Sequence, residues 1–283
     1  MRNRFHSGFL RAGKEAFLFV FCLFAASPLS YADSKVGDSR VLLSFLHGIE
    51  EQRYSWFGYS STVRVTFTTP DGKTAECAGQ LDYQRLNERV FMSCYAAPEK
   101  LAFILKTDDD RFSLYLPSHQ TLYEGNIFDL EFTEEINSHI QPMDLYRALK
   151  PMPVLPESAV MESSGKETAV IGVKNFYRRE AYIERRLEAN RQGQVPYEIY
   201  RDHEGASILE IERTDYRKVK AKSLSKVPVV LPFRIRVNNT RRNTDTIIFF
   251  TEIRIAAAEN KNWKLPLPAG TRVVELPKFS GAD

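Results

Sequence analysis

The spacing of apolar side chains changes along the chain from a helical period to a period of two. Between residues 38 and 52, apolar side chains from Val41 to Ile49 recur every three or four positions, which predicts an amphipathic helix. From about Trp56 apolar and polar residues alternate, as in half-buried β-strands. One short helical stretch, QPMDLYRALK at 141–150, interrupts the alternation. The pattern predicts a mainly β (α+β) protein with two helices and about eleven antiparallel strands.

A sheet with that many strands is expected to curl, so we expect a strongly curved antiparallel sheet. Large apolar residues on its concave face need a cover, and the two helices would supply it. A loose cover would leave a cavity for an acyl chain. Alternation places six candidates for its lining on that face, although each could equally be ordinary core. They are Val63, Val65, Phe67, Leu81, Val90 and Met92.

Residues 1–32 have the pattern of an export signal. Basic residues precede the apolar run Phe17–Leu29, and the small residue Ala32 suits signal peptidase, so cleavage is predicted after Ala32 and the mature protein is expected to be exported. The run has about 13 residues, fewer than the ~20 of a membrane-spanning helix, and an uncleaved anchor is the alternative. Cys22 follows Phe21 instead of a small residue, so lipidation at Cys22 is not expected.

Cleavage leaves two cysteines, Cys77 and Cys94, in an oxidising compartment, which favours a disulfide. Zinc would need about four nitrogen or sulphur ligands, and a thioredoxin-like site needs CxxC; neither pattern is present. Folding a hairpin about Arg85–Leu86 places Cys77 directly opposite Cys94 and Gly79 opposite Met92 on one apolar face. We predict a cross-strand disulfide; two buried unpaired thiols are the alternative.

The charge distribution gives no sign of nucleic-acid binding. The chain sums to +3, and residues 1–32 alone contribute +3, so residues 33–283, the expected single mature domain, sum to zero. Within it, residues 33–170 sum to −8 and residues 171–245 to +7. Attraction between two halves of the sheet is favoured over a basic rim for anionic headgroups or an acidic partner.

No catalytic or metal-binding motif stands out. The histidines of the mature chain, His47, His119, His139 and His203, are widely spaced, and HExxH, GxSxG, P-loop and GxGxxG motifs are absent. The acidic run Asp108–Asp110 is expected to be a solvated hairpin turn, because no EF-hand glycine and terminal glutamate follow it. We therefore predict no enzyme, metal or cofactor, although a carboxylate pair assembled by the fold would escape this reasoning.

Five stretches, in this order, resemble the LolA/LolB-like proteins of the bacterial envelope. Together they span roughly residues 50–275, and their order carries the resemblance more than any single stretch. They are GYSSTVRVTFTTPDGKTAECAGQLDYQ, TDDDRFSLYLPSHQTLYEG, QPMDLYRALK, VPYEIYRDHEGASILEIERTDYRKV and TEIRIAAAENKNWKLPLPAGTRVVEL.

The resemblance implies a half-open barrel with a helical lid. It also implies a non-enzymatic periplasmic carrier that holds the acyl chains of lipoproteins or other hydrophobic cargo, as in lipoprotein sorting to the outer membrane. Such a carrier would exchange cargo with envelope donor or acceptor proteins and contact the membrane surface transiently. The missing lipobox departs from the LolB pattern and favours a soluble carrier. Two other classes stay open: an envelope interaction or sensor module on the same fold without lipid, and a hydrolase of envelope components.

Overall fold

The computed structural model describes residues 33–85, 88–127, 142–149, 154–174, 184–220, 228–256 and 263–276. Spatial contacts divide the chain into Met1–Gly37 and Asp38–Asp283, and all the strands lie in the second unit. The helices are α1 (Asp33–Tyr54) and α2 (Pro142–Leu149). The strands are β1 (Gly58–Thr68), β2 (Thr74–Gln84), β3 (Arg89–Ala97), β4 (Lys100–Asp108), β5 (Arg111–Leu116), β6 (Thr121–Asn126), β7 (Ala159–Ser164), β8 (Thr168–Lys174), β9 (Glu184–Asn190), β10 (Tyr197–Arg201), β11 (Ser207–Lys218), β12 (Val230–Asn239), β13 (Thr244–Ala256) and β14 (Arg272–Glu275).

The strands form one mixed sheet in the order β14-β6-β5-β4-β3-β2-β1-β13-β12-β11-β10-β9-β8-β7. The described pairs are antiparallel except β14 with β6, which is parallel. The mainly β prediction is confirmed, but three of its details are corrected. The sheet has fourteen strands instead of about eleven, it is mixed instead of antiparallel, and it is not closed or strongly curled.

These corrections have physical causes. Strands β7 and β14 were not predicted because most of their side chains are exposed, so neither strand has the alternation that a buried face imposes. Strong curvature was inferred from strand number alone, and open sheets of this size do occur in proteins.

Both predicted helices are confirmed, since α1 contains residues 38–52 and α2 lies within residues 141–150. The acidic run Asp108–Asp110 forms the predicted turn between β4 and β5. The predicted signal peptide lies outside the described residues, so its cleavage stays a prediction.

The main hydrophobic core lies between the inner face of the sheet and α2. Its cluster draws on β1–β6, on β10–β13 and on the buried apolar side chains of α2. All six predicted lining residues belong to it, and none is more than 4% exposed. Their packing is that of core residues, and a role in lining a ligand site stays a prediction for them.

Helix α1 packs on the sheet through a second cluster. Its buried Phe45 and Ile49 pack with apolar side chains of β8 and β9, among them Leu187. The helix backbone comes very close to the turn after β9, because a Cβ on Gly193 would lie 1.9 Å from the carbonyl oxygen of Gly48. Gly193 also has a φ of 77°, which favours glycine. This backbone contact fixes the position of α1 beside β9.

A disulfide joins Cys77 on β2 to Cys94 on β3, with Cα atoms 5.6 Å apart, as predicted. The predicted register is wrong by two residues: Gly79, not Cys77, lies opposite Cys94, and Leu81 lies opposite Met92. The disulfide is therefore diagonal. A shift of two residues in the pairing of β2 with β3 keeps every side chain on its predicted face.

Gly79 provides the space for this diagonal crossing. A Cβ at this position would lie 1.8 Å from the carbonyl oxygen of Ser93 and 2.9 Å from the Cα of Cys94. Contacts this short would push β2 and β3 apart beside the disulfide, so glycine is required here for a steric reason.

We predict that Gly79→Ala lowers the free energy of unfolding by about 1–3 kcal/mol, because the added methyl group overpacks the strand pair. Urea unfolding with the disulfide intact measures the loss. Gly165→Ala is the matched control, because a Cβ there meets only Thr168, at 3.6 Å or more, and we expect a change within about 0.5 kcal/mol. Equal losses in the two variants would contradict the steric role of Gly79.

Candidate functional site

A cavity of about 110 Å³ lies between α1 and the inner face of the sheet. Its walls come from the last turns of α1, the end of α2, the turn Gly193–Val195 and strands β9–β13 and β1. None of the six predicted lining residues borders it. The apolar side chains around it include Ile49, Trp56, Leu149, Leu231, Ile235, Phe250 and Ile253.

One wall of the cavity holds a buried carboxylate, Glu198 on β10. The Arg213 guanidinium donates from Nη1 to Glu198 Oε1 at 2.7 Å, and the Tyr200 hydroxyl donates to Oε2 at 2.9 Å. A second guanidinium, that of Arg185, lies 3.9 Å from Oε2. All four residues are buried, so these charges interact with little solvent screening.

Arg213 also joins backbone segments around the cavity. Its Nη2 donates to the carbonyl oxygen of Ala148 at the end of α2 at 3.3 Å, and its Nη1 reaches the carbonyl of Val195 at 3.4 Å. The backbone N–H of Arg213 donates to the Pro196 carbonyl at 2.7 Å. One residue of β11 thereby connects β10, α2 and the segment before β10.

The surrounding groups determine which side chains of this wall are charged. Burial would raise the pKa of Glu198, but the guanidiniums of Arg213 and Arg185 and the Tyr200 hydrogen bond outweigh burial and hold that pKa below its ordinary value. Burial, and then the Glu198 carboxylate, raises the pKa of Tyr200. The wall therefore presents an ionised pair and a neutral phenol over the physiological pH range.

Gln52, near the end of α1, connects the helix to the start of β12 across the cavity. Its Nε2 donates to the Pro228 carbonyl at 3.2 Å, and its Oε1 accepts from the Val230 N–H at 3.5 Å. Arg53 lies 3.6 Å from both Glu50 and Glu88. This side of the cavity is thus held by a few polar contacts at the end of a helix.

The histidines considered from sequence do not come together at this cavity. His47, His119 and His203 are exposed and do not line it, and His139 lies outside the described residues. Over the described ranges no group of three or more His, Cys, Asp or Glu side chains is arranged to hold a metal ion. In the same part of the chain no helix has the length and apolar character needed to cross a membrane.

Sequence reasoning did not identify the polar wall, although a signal for it exists. Arg213 follows Leu209 and Ile211 at a spacing of two, and Arg185 precedes Leu187 at the same spacing. A charged residue at the inward position of an alternating strand indicates a buried ionic contact. The sequence does not reveal the strand order of the sheet, so it does not show which residue of opposite charge pairs with each buried arginine.

No family model and no curated protein matches the chain. Solved structures do match. A domain from Vibrio parahaemolyticus that is named as an outer membrane lipoprotein-sorting protein domain is 11% identical, with a TM-score of 0.57. The match covers 76% of this chain and 94% of that domain. A LolA superfamily protein from Nitrosomonas europaea is 12% identical, with a TM-score of 0.53; the match covers 76% of this chain and 93% of that protein. A DUF1329 family protein from Desulfovibrio piger is 10% identical, with a TM-score of 0.56; the match covers 77% of this chain and 93% of that protein.

These similarities show that the chain has a LolA-like fold, which confirms the fold expected from the resemblance. At identities of 10–12% they show the fold alone.

We predict that Glu198→Gln lowers the free energy of unfolding at pH 7 by about 3–5 kcal/mol, because it leaves buried guanidiniums without their carboxylate. The depressed pKa of Glu198 stabilises the fold fully above the unfolded carboxyl pKa of about 4.3, and this stabilisation is lost as the pH falls through the folded pKa. The difference between Glu198→Gln and wild type should therefore shrink on acidification, which urea unfolding at several pH values measures.

Glu252→Gln is the control for this experiment, because Glu252 makes an exposed ion pair with Arg254. We expect no measurable change in stability from it. A Glu198→Gln variant as stable as this control at pH 7 would contradict the structural importance of the buried pair.

Proposed function

We propose that the protein is a periplasmic carrier for lipoproteins or other acylated hydrophobic cargo and that the cavity between α1 and the sheet receives an acyl chain. The observation that carries this proposal is a mostly apolar cavity, covered by a helix, in a LolA-like fold. The relative from Vibrio parahaemolyticus is named for lipoprotein sorting, which supports the same class of cargo.

The size of the cavity indicates how cargo enters. At about 110 Å³ it is smaller than the sites that hold small molecules, which occupy roughly 300–1,000 Å³. A whole acyl chain therefore requires α1 to separate from β12, where the Gln52 contacts hold it. Burial of the chain contributes ~0.8 kcal/mol per CH₂ group, enough to offset the loss of such contacts.

The same energetics imply partners. An acyl chain held by many CH₂ groups leaves slowly, so a carrier needs an envelope donor or acceptor, or contact with a membrane surface, to release it. The predicted signal peptide and the buried disulfide support a periplasmic location. The proposed role needs neither catalysis nor a cofactor, and residues 33–283 would act as one carrier domain.

We predict that Val230→Phe weakens binding of a fluorescent fatty acid at least about tenfold, because the larger side chain occupies the cavity. Val173→Phe is the matched control: it makes the same change at a partly buried valine that packs beside α1 but does not border the cavity. Fluorescence titration measures both affinities, and thermal unfolding checks that both variants are folded. Unchanged binding by a folded Val230→Phe, or no uptake by wild type, would contradict the proposal.

A further inference from the structure

A second concavity, the charged cleft, lies at the end of α1. Its volume is about 610 Å³, within the roughly 300–1,000 Å³ that sites for small molecules occupy. Besides Tyr54, the described residues that line it are three arginines and three acids: Arg53, Arg85, Arg89, Glu88, Asp108 and Asp109. A cleft of this size with fixed charges of both signs suits a polar ligand.

Arg53 connects the charged cleft to the cavity between α1 and the sheet, because it borders both. Its guanidinium lies toward the cleft, since it is 3.6 Å from Glu88, which borders the cleft and does not border the cavity. The next residue of α1, Tyr54, is exposed and also borders the cleft. A molecule that extended from the cavity past Arg53 would therefore enter the charged cleft.

Arg85 brings a positive charge to the cleft, and no carboxylate in the described ranges forms an ion pair with it. Its Nη1 donates to the carbonyl oxygen of Arg53 at 2.6 Å, and its guanidinium carbon lies 4.6 Å from the centre of the Tyr54 ring. Burial has the largest effect on the pKa of Arg85 and lowers it, and Glu50 affects that pKa less than Tyr54 does. A guanidinium has five N–H donors, so Arg85 can also bind an anion such as phosphate.

The acidic residues of the cleft disfavour a ligand that carries only negative charge. Arg89 pairs with Asp108 at 2.6 Å, and Arg53 lies 3.6 Å from Glu88. Asp109, in the turn between β4 and β5, is exposed and has no ion pair with a residue that the structure describes. Its carboxylate would repel an anion and attract a cation. A ligand with one charge of each sign therefore suits the cleft better than a plain anion.

We infer, on the basis of the proposed function, that the charged cleft binds the zwitterionic phosphoethanolamine group of a cargo molecule whose acyl chain occupies the cavity. The phosphate would accept hydrogen bonds from Arg85, and the ammonium would lie beside the Asp109 carboxylate. The two charges of the group would thus meet the cationic and the anionic side of the cleft. This makes phospholipids with an ethanolamine headgroup the class of acylated cargo.

The test compares three probes with the same dodecanoyl chain: lysophosphatidylethanolamine, lysophosphatidic acid and monododecanoylglycerol. Each displaces a fluorescent fatty acid from the protein at concentrations where the probe forms no micelles. We expect wild type to bind lysophosphatidylethanolamine about tenfold more tightly than monododecanoylglycerol, equal to about 1.4 kcal/mol, and more tightly than lysophosphatidic acid. Free O-phosphoethanolamine should bind far more weakly, because it has no acyl chain to bury.

Two variants separate the two charges of the site. Arg85→Gln should lose the preference for lysophosphatidylethanolamine over monododecanoylglycerol, because the phosphate loses its cation. Asp109→Asn should bind lysophosphatidic acid at least as tightly as lysophosphatidylethanolamine, because the ammonium loses its carboxylate. Asparagine readily adopts the left-handed backbone of Asp109, whose φ is 56°, so this variant keeps the test decisive even if Arg85→Gln fails to fold.

Arg272→Gln is the control, because it removes an exposed arginine of β14 that borders neither the charged cleft nor the cavity. It should keep the wild-type order of affinities. Thermal unfolding checks that each variant is folded.

A preference for lysophosphatidylethanolamine over monododecanoylglycerol that survives in folded Arg85→Gln would overturn the inference. So would an Asp109→Asn variant that still prefers lysophosphatidylethanolamine to lysophosphatidic acid. If O-phosphoethanolamine binds as tightly as lysophosphatidylethanolamine, the cleft is a site for the free group and its link to the cavity fails. If wild type binds lysophosphatidylethanolamine and monododecanoylglycerol equally, the headgroup site fails while the carrier function stands. If wild type binds none of the acylated probes, the proposed function fails as well.

Discussion

The cavity depends on the buried ionic contact between Arg213 and Glu198. Moving a guanidinium and a carboxylate out of water costs several kcal/mol for each ion, and this cost is offset only where geometry and additional hydrogen bonds are good. Here the carboxylate also accepts from Tyr200, and the guanidinium also donates to the carbonyls of Ala148 and Val195. The contact therefore fixes the relative positions of β10, β11 and the end of α2.

The buried polar contacts explain why the space between α1 and the sheet is not filled by side chains. The main core lies against α2, and a second cluster lies between α1 and strands β8 and β9. The cavity borders both clusters, and the polar groups of Glu198, Arg213 and Gln52 stand in its walls. Side chains that must satisfy hydrogen bonds cannot move to fill the remaining space, so the apolar surfaces there stay apart.

Much of the fold could be predicted because its long elements repeat one pattern many times. Helix α1 and the alternating strands β1 to β6 are examples, and the disulfide follows from two cysteines on one face of a hairpin. The edge strands β7 and β14 could not be predicted in this way, because their side chains are largely exposed. The β2–β3 register was missed by two residues, because alternation is unchanged by an even shift.

The candidate site was harder to predict than the fold. The six residues suggested from alternation face inward as expected, but which inward positions border a cavity depends on where α1 and α2 lie, and this is a tertiary property. Glu198 and Arg213 are visible in the sequence as charged residues at inward positions of alternating strands. Tyr216 also borders the cavity, but no pattern in the sequence indicates it, because Asp215 before it has a φ of 55° and breaks the alternation.

Native mass spectrometry of the protein purified from the cells that produce it, followed by solvent extraction, tests the central claim most directly. We expect a protein population with one additional mass that extracts as a lipid or an acylated peptide. A protein that is uniformly free of bound mass, and that takes up no fatty acid when one is added, would contradict the carrier function. A partner protein that co-purifies without lipid would instead favour an interaction module on the same fold.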